Sequence, residues 1–269
     1  MKMFKKRYIS KSPKISVKYF GKGDLIIFLH GIGGNKDNWD QNLPEISKNF
    51  LCVAWDTRGY GESDDYEGPL DFNDVLEDLK KVILFFKKDK AHILGLSMGG
   101  QIATLFYEKY PNMVHSLILC DTHFGLGNLD DEEIQNFINS RKKPLLEGLE
   151  PKDIAENVSK TLIGKNDNLY ALNELIKSIS KLHKESYLKT IDASLKTFHA
   201  HIFCKVKAPT LILVGELDSL TPPSMANKIY NLINNSSMFI IKNAGHLSNI
   251  EQPKIFNRLV INFLKKLSY

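Results

Sequence analysis

The chain has 269 residues, 43% of them hydrophobic, enough to bury a large core and suited to one enzyme-sized domain carrying an insertion. Its 36 Lys and Arg against 31 Asp and Glu leave a formal charge of +5, too small and too dispersed to argue for a nucleic-acid partner. No segment approaches the ~20 apolar residues of a membrane span, and the three cysteines, Cys52, Cys120 and Cys204, are odd in number and too widely separated for a disulfide framework.

The basic N-terminus, Met1 to Lys18, lacks the apolar core of a secretory signal, so a cytoplasmic location and reduced, buried thiols are expected. Ile15 to Phe20 reads as an opening strand and Gly21-Lys22-Gly23-Asp24 as a turn. The apolar run Leu25-Ile26-Ile27-Phe28-Leu29 then leads into His30-Gly31-Ile32-Gly33-Gly34, a loop that exposes backbone, with the N–H of Ile32 as a candidate oxyanion donor. Leu51 to Trp55 is the next strand and ends in Asp56-Thr57-Arg58-Gly59-Tyr60-Gly61. Phe72 to Lys88 carries Val75, Leu76, Leu79, Val82, Ile83 and Phe86 near a 3.6-residue period and reads as a covering helix.

Ala91 to Leu94 is strand-like and gives way to Gly95-Leu96-Ser97-Met98-Gly99 and a helical stretch. A serine on such a strand-to-helix turn has its hydroxyl pushed out of the sheet, and the small residues on either side let the backbone bend. The following helix offers unpaired N–H groups, that of Met98 among them, to an oxyanion. Ser116 to Cys120 is a further strand, ending at Asp121.

From Phe124 to Ile202 the pattern changes to helical runs broken by Pro144, Gly148, Pro151 and Gly164. Residues 124–202 are therefore expected to form a helical cap inserted in a core made of residues 1–123 and 203–269, with Phe124 a candidate for the pocket wall. Thr210 to Val214 re-enters the sheet and ends near Asp218, and Met238 to Ile241 leads to Asn243-Ala244-Gly245-His246. A final helix spans Ile255 to Leu267. Strands alternating with helices imply a mainly parallel α/β sheet covered on both faces.

In chain order this gives Ser97, Asp218 and His246. A serine hydroxyl is a poor nucleophile at neutral pH and needs a base poised near that pH, which a histidine supplies, while a carboxylate fixes the imidazole tautomer. Asp121, at a strand end, competes with Asp218 for that last role; alternatively it caps the turn at Thr122-His123. His30 is expected to hold the oxyanion loop by hydrogen bonding, Asp56 and Arg58 to brace their loop as a pair, and Trp39 to pack beneath the loop. Arg141, His183, His199 and His201 receive no assignment beyond a solvated or structural role. No Cys/His cluster has metal-ligand spacing.

With the nucleophile elbow, the Ser…Asp…His order and the His-Gly loop all following strands, the chain resembles the α/β-hydrolase superfamily over nearly its whole length. The resemblance implies a mainly parallel sheet of about eight strands flanked by helices, with a helical cap. Asp56-Thr57-Arg58-Gly59-Tyr60-Gly61 together with Gly95-Leu96-Ser97-Met98-Gly99-Gly100 looks most like the small cofactor-free esterases, lactonases and enol-lactonases. This implies no cofactor, no metal, and a small-molecule ester or lactone as substrate. Carbon-carbon bond hydrolases of aromatic degradation are a weaker likeness, because they usually carry Asn before the serine where this chain has Leu96. Acyl transfer, perhydrolysis and a slow-turnover receptor are the other roles the superfamily implies.

Overall fold

Strands buried on both faces need apolar side chains at every position rather than at alternate ones. Leu25–Leu29 and Ala91–Leu96 are buried throughout, and Leu51–Trp55 nearly so. In the computed structural model, which describes residues 4–128, 130–165 and 167–267, these runs form the centre of an eight-stranded sheet. Its strands are β1 (Lys5–Tyr8), β2 (Ser16–Phe20), β3 (Leu25–Leu29), β4 (Leu51–Trp55), β5 (Ala91–Leu96), β6 (Val114–Cys120), β7 (Thr210–Gly215) and β8 (Ser236–Ile241). They lie in the order β1-β2-β4-β3-β5-β6-β7-β8, with β1 and β2 antiparallel to their neighbours and the remaining pairs parallel.

The fold is that of an α/β hydrolase, as expected, with two differences at the edges. β1 was not legible: Lys-Lys-Arg-Tyr is exposed along its whole length and has no apolar alternation, as suits an edge strand whose charges discourage further pairing. β5, β6, β7 and β8 each run one or two residues beyond the apolar segments that mark them. At β3 the chain order reverses, β4 lying on one side and β5 on the other. Such a switch point opens a crevice at the carboxyl ends of the strands. With Leu29 beside Gly95, the loop after β3 and the turn after β5 leave the sheet side by side.

The helix Phe72–Phe85 starts at an Asp71 cap, whose side chain accepts from Asn73 N, and buries Val75, Leu76, Leu79, Val82 and Ile83. It stops before the expected Lys88, because Lys87 takes a positive φ of 54°. Trp39 packs as expected, its ring 5.3 Å from Phe28 and 6.3 Å from Phe256 on the last helix, Pro253–Lys265. Each such fully buried ring or aliphatic side chain contributes about 1.5–3 kcal/mol.

Between β6 and β7, which are adjacent in the sheet, the chain forms helices Asp131–Arg141, Lys143–Leu146, Pro151–Leu162, Leu169–Ile179, Lys184–Leu195 and Ala200–Phe203. Among the described residues no helix is long and apolar enough to cross a membrane. All three cysteines are free; Cys52 and Cys120 are buried, but Cys204 caps the end of a short helix and is exposed, which corrects the expectation that all three thiols are buried.

Candidate active site

Ser97 is the residue between β5 and the helix Met98–Lys109, and it sits at φ 54°, ψ −118°. A non-glycine residue holds such a conformation only when its surroundings over-determine it. Here Ser97 N donates to Cys120 O at 2.9 Å, and Ser97 O accepts from Thr122 Oγ1 at 2.7 Å and Gly100 N at 2.9 Å. The flanking glycines are required by contact: a Cβ on Gly95 would lie 2.1 Å from Gly99 O, and one on Gly99 2.2 Å from Leu29 O. Ser97 Oγ makes no hydrogen bond among the described residues.

Met98 opens the helix, so its N–H has no intrahelical acceptor. Nor does the N–H of Ile32, on the neighbouring loop, find an acceptor among the described residues. That loop is held by His30, as expected: Nδ1 donates to Gly31 O at 2.9 Å and Nε2 accepts from Thr57 N at 3.0 Å. Burial depresses the pKa of His30, which suits this neutral tautomer. The pairing of Asp56 with Arg58 is not formed. Asp56, wholly buried, takes Lys36 at 2.5 Å, while Arg58 reaches Asp78 at 2.8 Å and Asp74 at 3.6 Å. Both partners arrive from other segments, one from the turn after the His-Gly loop and one from the helix Phe72–Phe85.

His246 Nδ1 and Asp218 Oδ2 are 2.9 Å apart. Asp218 also accepts from Thr221 Oγ1 at 2.6 Å and, through Oδ1, from the N–H groups of Leu220 and Thr221 at 2.9 Å. The stiff Thr221-Pro222-Pro223 turn therefore fixes both carboxylate oxygens before the helix Pro223–Leu232 begins. Burial works against the charge on Asp218, but His246 and the Thr221 hydrogen bonds outweigh it and hold its pKa near about 2. Burial likewise opposes a charge on His246, yet the carboxylates of Asp218 and Asp121 raise its pKa above the ordinary imidazole value, with Arg141 acting in the opposite direction.

Asp121 is placed otherwise than as a cap for its own turn. Its Oδ1 accepts from Gly215 N at 2.7 Å, and its Oδ2 contacts Ser248 Oγ at 2.5 Å. Burial and the nearby charge of Asp218 push its pKa up to about 8. Asp121 thus ties the end of β7 to the segment following His246. Glu251, which sequence reasoning missed, does similar work: its two oxygens accept from Gly164 N and Gly245 N, each at 2.9 Å. With His246 N donating to Leu162 O at 2.8 Å, the histidine loop is bonded to the helical segment between β6 and β7. The five residues between Gly245 and Glu251 carry no pattern that announces such a clasp.

Two cavities meet at Ser97 and His246. One runs beneath the His-Gly loop and is walled by apolar side chains including Trp39, Leu96, Leu175 and Leu247. The other extends toward Phe137, Arg141, Val158 and Tyr187. Ile32 lines both. Phe124 is not among the lining residues, because its ring packs edge-on against Phe203 at 5.3 Å; its neighbours His123 and Leu126 line the second cavity instead. His183 bonds Asp65 at 2.6 Å and Gly61 O at 3.1 Å, a structural role, and His201 is exposed. His199 is buried against Phe203, and burial drives its pKa down to about 3. Arg141 is the departure from expectation: it is buried, and it lines the cavity. Among the described residues no group of three His, Cys, Asp or Glu side chains could hold a metal ion.

The sequence pattern of the alpha/beta hydrolase fold family matches residues 24–253, and the chain belongs to that family. It is 28% identical over 271 residues, 95% of this chain and 92% of the relative, to a 2-hydroxy-6-oxononadienedioate/2-hydroxy-6-oxononatrienedioate hydrolase of Escherichia coli. A Pseudomonas putida protein of the same description is 26% identical over 265 residues, covering 91% of this chain and 89% of that one. Among solved structures, a thermophilic esterase from Thermogutta terrifontis with malate bound superposes with a TM-score of 0.85 at 24% identity, both chains being covered completely. The enol-lactonase from Burkholderia xenovorans superposes at 0.83 and 20% identity, over 95% of this chain and 98% of that one. At those identities the two structures speak for the fold alone.

Proposed function

We propose that this hydrolase cleaves carboxylic esters of small to medium acyl chain through an acyl-enzyme on Ser97. The observation that carries the reading is the 2.9 Å Asp218–His246 contact at the cavity where Ser97 stands on its strained turn. With Nδ1 engaged by Asp218, His246 has Nε2 free to take the proton from Ser97 Oγ as it attacks the carbonyl. The oxyanion is received by the N–H groups of Met98 and Ile32, each worth on the order of 3 kcal/mol. His246 returns the proton to the leaving alcohol, and water repeats the sequence on the acyl-enzyme. Residues 124–202 serve as a cap over a core of residues 1–123 and 203–269; Leu162, Ile179 and Tyr187 from that segment line the cavities and exclude water.

Only the neutral imidazole can act as base. A raised pKa keeps the proton on His246 to higher pH, so kcat/KM is expected to climb through one ionisation centred above the ordinary imidazole value of 6.5. A profile flat from about pH 5 to pH 9 would remove His246 from the role.

A second reading, hydrolysis of a carbon-carbon bond beside a ketone, is favoured by the names of the 26% and 28% identical relatives and disfavoured by Leu96 before the serine. Lactone hydrolysis uses the same machinery as ester hydrolysis. A panel of aryl esters of increasing acyl length, run beside several lactones and 2-hydroxy-6-oxononadienedioate, separates the three. Sustained turnover with the highest kcat/KM among the esters is expected. The highest value on the dienedioate, or release of one product equivalent followed by a stall, would contradict the ester reading, the stall pointing to a receptor.

A further inference from the structure

Arg141 closes the helix Asp131–Arg141 and is only 8% exposed, yet no Asp or Glu among the described residues lies within ion-pair distance of it. Its hydrogen bonds are to neutral groups, Ser140 Oγ at 2.8 Å and Thr161 Oγ1 at 3.4 Å, and its guanidinium carbon stands 4.6 Å from the Phe137 ring. A guanidinium has five N–H donors, so these contacts leave most of its capacity unused. Burying a cation without a counter-charge is costly, and the dipole at the helix C-terminus and the ring face offset that cost only in part.

Arg141 lines the cavity that Ser97 and His246 share, and no acidic side chain lines that cavity. Its charge is close enough to His246 to work against protonation of the imidazole, and burial depresses the pKa of Arg141 itself. The other histidine there, His123, is kept neutral by burial, with a pKa of about 4. The cavity beneath the His-Gly loop is walled largely by apolar side chains, and no Asp, Glu, Lys or Arg lines it. Arg58, on the loop after β4, is already satisfied by Asp78 and Asp74.

We infer that Arg141 is a specificity-determining residue that receives a carboxylate carried by the substrate on one side of the scissile ester, while the apolar cavity receives the other side. The inference rests on the reading of Ser97 as nucleophile, and it narrows the substrate class to esters bearing a free carboxylate. A fork of paired donors matches the two carboxylate oxygens, and charge-assisted bonds of this kind discriminate on the order of 10- to 100-fold.

The test uses two matched pairs: mono-(4-nitrophenyl) glutarate against its methyl ester, with the carboxylate on the acyl side, and 4-acetoxybutanoate against its methyl ester, with it on the alcohol side. The wild-type protein is expected to prefer the charged member of one pair by at least about tenfold in kcat/KM, mainly through KM. Arg141→Gln should bring that ratio to within about threefold of unity, and Arg141→Lys, which keeps the charge but not the fork, should restore part of it. Should the Gln variant not fold, the Lys variant and the wild-type ratio carry the same readout. No preference in either pair, or a fall in both members by one factor with the ratio kept, would overturn the inference and leave Arg141 structural. Turnover of the neutral esters reports separately on the ester reading. If no ester is hydrolysed, calorimetric titration of wild-type protein with monomethyl and dimethyl glutarate decides: tighter binding of the monoacid, lost in Arg141→Gln, supports the inference, and equal binding ends it.

Discussion

Ser97→Ala is expected to abolish ester hydrolysis, with a loss in kcat of at least about ten-thousand-fold, while the fold and its stability stay close to those of the parent. The asymmetry follows from what the side chain does. Ser97 Oγ makes no hydrogen bond among the described residues, so its removal leaves no buried partner unpaired. The strained backbone at φ 54° is held by the bonds of Ser97 N and O, which alanine keeps. Thermal midpoints and near-UV spectra of the two proteins should therefore agree, and purified Ser97→Ala retaining near-parental rates would rule out a serine mechanism.

Asp218→Asn is expected to cost up to about four orders of magnitude in kcat, because an amide in place of the carboxylate holds the imidazole in the wrong tautomer and cannot stabilise the imidazolium. Asp121→Asn should keep at least about a tenth of the activity. Asp121 accepts from Gly215 N through one oxygen and from Ser248 Oγ through the other, and none of its hydrogen bonds goes to His246, so an amide that keeps the oxygen toward Gly215 N leaves the Asp218–His246 pair intact. The Asp121 backbone sits at a positive φ of 45°, which asparagine tolerates well. Steady-state rates of the two variants on one aryl ester check the ranking. The reverse order would move the acid's role to Asp121 and make the Asp218 turn structural.

What could be read from the sequence divides along a physical line. β3 and β4 were legible to the residue because strands buried on both faces are continuous apolar runs, and the Ser97 elbow because its five residues are contiguous at a strand end, with Gly95 forced by Gly99 O inside the motif itself. Asp218 and His246 followed from their places at strand ends. Partners supplied by distant segments were not legible: Asp56 takes Lys36 rather than Arg58, and Glu251 clasps Gly164 across 87 positions. Arg141 failed for a related reason. Charge at a helix end reads as solvated, and only the packing of the helices between β6 and β7 buries it. Phe124, one residue from a lining position, was turned away by its contact with Phe203, a direction that residue type alone does not set.

The central claim, that Ser97 is a nucleophile activated by His246, is tested most directly by reaction of the full chain with an aryl phosphonate, followed by intact mass and peptide mapping. The account predicts one phosphonyl group per chain, carried on Ser97, with hydrolysis lost in step with labelling and no labelling of Ser97→Ala. A label on another residue, or an unlabelled chain that still hydrolyses esters, would contradict it.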